Sequence, residues 1–79
     1  MSGLYLINMI PVEDIDDAIS LISAYEGSAE DFALPLSEVL LDPAGIIMAV
    51  ITDRILKRGW EPDGFLQEDG YRIYRYKTA

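Results

Sequence analysis

The 79-residue chain contains no cysteine and no histidine. The first absence excludes a disulfide framework and thiolate metal sites, and the second removes the commonest zinc ligand and the usual proton shuttle near neutral pH. Nucleophilic triads that depend on histidine go with it, and no local motif supports a serine–lysine pair. Glycines are scattered singly, so neither GxGxxG nor GxxxxGK[ST] occurs and no phosphate-cradling loop is expected. The longest purely apolar run, Ile46 to Ile51, falls far short of the roughly 20 residues a bilayer requires. The opening stretch MSGLYLINMI lacks the positive segment of a signal peptide, so a cytoplasmic setting without membrane contact is expected.

Most informative is the absence of any Lys or Arg from residues 1–53, which carry ten acids. Residues 54–79 hold all six bases against four acids, so a formal charge of −8 divides into −10 and +2. Such a field opposes non-specific attraction to nucleic acid and favours basic partners. At this length one domain is expected, burying only roughly 60 to 65% of the surface its unfolded chain exposes. A core that thin needs close packing or help from a second subunit.

Leu4 to Met9 is a short apolar run before a proline and is assigned as a strand. Pro11 suits the first position of a helix, with Glu13 and Asp14 at the positive end of its macrodipole. Val12, Ile15, Ala18, Ile19, Ile22 and Tyr25 recur at spacings of three and four and share one half of that helix. Glu13, Asp16, Asp17, Ser20 and Ser23 take the other half, and Gly27 is the expected stop. Ser28 and Asp31 resemble a capping box within a connector, residues 28–42, that holds one or two short helical turns. Asp42 and Pro43 signal the start of a second helix, and Lys57, Arg58 and Gly59 signal its end. Its first two turns are apolar all round through Ile46, Ile47 and Val50, which requires cover on both sides.

After Gly59 the period becomes extended. Glu61-Pro62-Asp63-Gly64 and Glu68-Asp69-Gly70 are turn chemistry, so Phe65 to Gln67 and Tyr71 to Lys77 form a hairpin. The expected architecture is α+β, a small single domain over residues 1–79 in the order strand, helix, short helical connector, helix, strand, strand. The first strand joins the hairpin in a three-stranded, mainly antiparallel sheet packed against the helices. Trp60, Phe65, Leu66 and Ile73 are expected to complete the core.

Acids at adjacent helix positions diverge by about 100° and do not enclose an ion, and neither EDIDD nor EPDGFLQEDG has the twelve-residue calcium-loop pattern. No metal, no cofactor and no catalytic residue is assigned, and a non-enzymatic protein is expected. Aromatic residues interleaved with bases in YRIYRYK fit a single-strand binding surface, and helices followed by a hairpin fit a winged helix. The second helix opposes that nucleic-acid alternative, because Ala44, Gly45, Ile46 and Ile47 supply no phosphate or base-edge donors. Arg72, Arg75 and Lys77 are instead expected to face solvent and to pair with Glu61, Asp63, Glu68 and Asp69 across the hairpin.

The surface left to bind a partner is acidic: Glu13, Asp16 and Asp17 along the first helix, and Glu26, Glu30 and Asp31 beyond its end. Carboxylates so spaced stand in for phosphates, since a target's Arg and Lys respond chiefly to the position of charge. In size and charge the chain resembles small acidic phage-type inhibitors, the DNA mimics and anti-CRISPR proteins, a likeness of composition carried by no motif. It implies a basic surface on a nucleic-acid-binding protein as partner. The alternative is an antitoxin-like regulatory homodimer joined through Ile46, Ile47 and Val50.

Overall fold

The computed structural model describes residues 10–41 and 45–79. Helix α1 spans Ile15–Ala24, strand β1 Ala33–Ser37, helix α2 Ile46–Lys57, strand β2 Trp60–Glu68 and strand β3 Tyr71–Thr78. Short 3-10 turns, Ala29–Asp31 and Glu38–Leu40, flank β1. The three strands are antiparallel in the order β1-β3-β2. An α+β architecture with helices against a three-stranded sheet is therefore present.

Its third strand comes from an unexpected place. Ala33–Ser37 pairs with β3, Leu34 opposite Tyr74 and Leu36 opposite Arg72, whereas the connector was expected to hold only helical turns. Leu4 to Met9 lies outside the described residues. Pro35 tolerates this strand because β1 is an edge, where a missing N–H breaks no bond to the central strand. On that outer edge Val12 makes an isolated parallel bridge to Leu36. The Val12 N–H donates to the Pro35 carbonyl at 2.7 Å, and the Val12 carbonyl accepts from the Ser37 N–H at 2.9 Å.

That bridge also corrects the start of α1, which begins not at Pro11 but after Asp14. Extended backbone at Asp14 lets its carboxylate accept from the Asp16 N–H at 2.8 Å, as an N-cap does. The helix ends at Ala24 with Tyr25 extended, before Gly27, which has no positive φ. Ser28 precedes the first 3-10 turn, but its hydroxyl donates to the Asp31 side chain at 3.0 Å and caps no backbone N–H. Helix α2 begins at Ile46, with Gly45, left-handed at φ 72°, as its N-cap. Asp42 and Pro43, the expected start signal, lie outside the described residues. At the other end Gly59 takes φ 83° and stops the helix as expected.

Nor is Glu61-Pro62-Asp63-Gly64 a turn between elements. It runs within β2, where the register slips by one residue between Pro62 and Phe65 and Gly64 takes φ 83°. A left-handed glycine and a proline on the ladder's outer side suit a bulge as well as a turn.

The core lies between the helices and one face of the sheet. Ala18 and Ile22 of α1 and Ile51 and Ile55 of α2 are buried against Leu34, Leu36, Trp60 and Tyr76. Deleting any of these isoleucines to alanine costs about 2–5 kcal/mol in a well-packed interior. Ile73 is also buried, but alternation places it on the sheet's opposite face beside Pro35 and Leu66. Phe65 and Leu66, by contrast, are 46% and 51% exposed and do not complete the core. Phe65 lies toward the hairpin end of β2, and Leu66, one residue on, points with Ile73 to the face away from the helices.

Candidate functional site

Helix α1 positions the acids, and its two ends differ. At the N-terminal end Glu13, Asp14, Asp16 and Asp17 are all exposed. Asp14 is committed to the cap, while Asp16 and Asp17 lie in the first turn, where the macrodipole favours negative charge. The ion pairs among the described residues are Lys57–Asp53 at 3.0 Å and Lys77–Asp63 at 4.0 Å. Neither involves an acid of this end.

About 15 Å away along the ten-residue helix, the exit-loop acids are differently employed. Glu26, Glu30 and Asp31 are exposed, but Asp31 accepts from Ser28 and Glu30 accepts from the Thr78 N–H at 2.9 Å. Arg75 donates to the Glu30 carbonyl oxygen at 2.7 Å, which ties the loop to β3. The Thr78 N–H holds the Glu30 carboxyl below the ordinary value, as a hydrogen bond to the charged form should. Sequence placed all six acids in one surface. The structure separates them into an open group at Glu13, Asp16 and Asp17 and a structurally occupied group at Glu30 and Asp31, while Glu26 is exposed and belongs to neither.

Beside the open group runs a groove of about 570 Å³, lined by Ile10, Val12, Leu21 and Ala24 with Glu13 and Asp17 among its walls. Ile10 is 82% exposed and Leu21 45%. Sequence reasoning missed these apolar residues. The signal was present at Leu21, which sits about 100° from Ile22 and falls outside the apolar arc of the helix, so nothing internal requires it to be leucine.

The bases of β3 are also placed differently from the expectation. Only Lys77 approaches one of the acids proposed for it, Asp63. Arg72 donates through Nε to Gln67 Oε1 at 2.9 Å, and through Nη1 to the Tyr74 hydroxyl at 3.2 Å. Its guanidinium also covers the Phe65 ring at 4.5 Å. Of the second candidate patch, Ile46 is 64% exposed while Ile47 and Val50 are half-buried, Ile47 packing on the core. Among the described residues, the start of α2 is thus packed on the core at Ile47 and exposed at Ile46.

No protein-family model, curated protein or solved structure matches the chain. Among the described residues no group of three or more carboxylates converges on a metal position, and no helix is long and apolar enough to cross a membrane.

Proposed function

We propose that this protein is a non-enzymatic binding module that occupies a basic surface on another protein, in the manner of a phage-type inhibitor of a nucleic-acid-binding partner. One observation carries this reading: Glu13, Asp16 and Asp17 stand exposed and outside any ion pair among the described residues, beside an open groove with an apolar floor. Uncompensated carboxylates attract cations from a distance, and an adjoining apolar surface converts encounter into a lasting contact. Glu30 and Asp31 contribute field more than contact, since both already hold hydrogen bonds.

The test is capture of the partner followed by titration of the purified pair. Affinity should fall steeply as salt rises, because the Debye length shrinks from roughly 30 Å at 0.01 M to 3 Å at 1 M. Joint replacement Asp16→Lys and Asp17→Lys should abolish binding while leaving the circular dichroism spectrum intact. Binding indifferent both to salt and to this reversal overturns the proposal.

A second reading has one specific observation in its favour, the exposure of Ile46 at the start of α2. A homodimer joined there should sediment at twice the 8.8 kDa chain mass at micromolar concentration. Ile46→Asp should return it to the monomer, and a wild-type monomer under those conditions removes the reading.

A further inference from the structure

The sheet has two edges, and the molecule treats them in opposite ways. On the β1 side the Val12 bridge occupies the Pro35 carbonyl and the Ser37 N–H, and Pro35 itself offers no donor. Between Pro35 and Ser37 that edge is already occupied. Strand β2 forms the other edge and is exposed from Pro62 to its end at Glu68. Its first half carries the usual defences, Pro62 and a bulge. Phe65 to Glu68 has no proline, no lysine and no bulge, and Glu68 is its one charged residue.

Register decides which backbone groups this open half presents. The bridge to Val12 uses the outward groups of Pro35 and Ser37, so Leu34 and Leu36 bond inward to Tyr74 and Arg72. Strand β3 then turns Ile73 and Tyr71 toward β2, where they face Leu66 and Glu68. Phe65 and Gln67 are left with their N–H and C=O groups directed outward, and no hydrogen bond among the described residues takes them. Side-chain contacts also brace the segment. Arg72 lies over Phe65 and bonds Gln67, Gln67 Nε2 donates to the Glu68 and Tyr71 carbonyls, and the Phe65 and Tyr74 rings sit 5.2 Å apart. An edge held in strand geometry before binding spares the association the cost of ordering that edge.

We propose that Phe65 to Glu68 accepts an extended cationic peptide as a fourth, antiparallel strand, by backbone pairing at Phe65 and Gln67. Charge selects the occupant: the chain carries a formal −8 and the segment's own charge is Glu68, with Asp69 next to it and Arg72 of β3 over Phe65, so a second copy adds like charge to like, whereas a basic segment is attracted at Glu68. Side-chain alternation then writes the pattern. Running opposite to β2, the peptide meets Glu68, Gln67, Leu66 and Phe65 in turn, and so should read basic, any, apolar, apolar. This surface is separate from the acids of α1, and the proposal does not depend on them.

The probe is the capped hexapeptide Lys-Thr-Val-Val-Lys-Thr, titrated into the intact protein and followed by amide exchange. The Phe65 and Gln67 amides should slow by roughly tenfold or more at saturation, because a hydrogen-bonded amide exchanges only when the added strand opens. N-methylation of the peptide at its second and fourth residues removes the donors that face β2 and should weaken binding roughly tenfold or more. N-methylation at the third residue, which points away, should leave it within about twofold. The variant Glu68→Lys should disfavour this peptide and favour one beginning with Glu, with a melting curve confirming that the hairpin is intact. Equal binding by both methylated peptides reduces the contact to charge attraction and overturns strand addition. Unchanged exchange at millimolar peptide overturns it as well, and slowing of the same amides with protein concentration alone assigns the edge to a second copy instead.

Discussion

Arg58 does more than end a helix. Its Nη1 donates to the Ile22 carbonyl near the end of α1, and its guanidinium lies 4.2 Å from the centre of the Trp60 ring, so one side chain ties α1, α2 and the start of β2 together. Trp60 belongs in turn to an aromatic group with Tyr25, Phe32 and Tyr76. Arg58→Ala should lower stability by roughly 1–3 kcal/mol, the sum of a partly exposed charge-assisted hydrogen bond and a cation–π contact. Arg58→Lys should restore little of it, since an ammonium lacks the planar face and second nitrogen that meet both partners at once. Urea denaturation of the three proteins measures this, and equal midpoints would remove the role. Tyr76 carries a pH dependence. Burial, with a lesser contribution from Tyr74, pushes its phenol above the ordinary value of 10.0. A raised folded value favours the protonated group, so this contribution is complete below pH 10 and declines as pH rises past it. Tyr76→Phe cannot ionise, and its urea midpoint should fall less than wild type between pH 8 and 11. An equal fall in both would place the alkaline loss elsewhere.

Among the elements, those with local signals were legible and those set by distant partners were not. The stop at Gly59 could be read from sequence because only a residue tolerant of φ 83° continues the chain there. Gly59→Ala should cost about 1–2 kcal/mol for that reason, seen as a lower melting temperature with an unchanged spectrum; a neutral result would mean that the turn relaxes to negative φ. The polar and apolar halves of α1 were equally clear, with Ala18 and Ile22 inward and Asp16, Asp17 and Ser20 outward. Its start was not, since Val12 follows the helical spacing but is held extended by Pro35 and Ser37, which lie more than twenty positions away. The same distance hid β1. Ala-Leu-Pro-Leu-Ser carries a proline that argues against a strand, and only its place at an edge lifts the objection. The bulge in β2 imitated a turn because both use a proline and a left-handed glycine. Within the candidate site, acid positions were legible, but the capture of Glu30 by Thr78 depended on a contact 48 residues distant.

At the scale of the whole molecule, two properties of the surface act together. Acids upstream outnumber every base the tail supplies, and the ion pairs among the described residues are both exposed, so each contributes little. What remains is self-repulsion, concentrated at the N-terminal end of α1 and only partly offset by the dipole of that helix. Added salt should therefore affect folding and binding in opposite directions. Screening weakens the repulsion among Glu13, Asp14, Asp16 and Asp17, so the melting temperature should rise between about 20 mM and 500 mM sodium chloride. Over the same interval, attraction to a cationic partner should collapse. A protein stabilised mainly by its own ion pairs behaves otherwise, losing stability and affinity together. Thermal melts and binding isotherms in one salt series separate the cases: parallel losses would mean that the carboxylates are engaged within the fold, and divergence that they are held outward for another molecule.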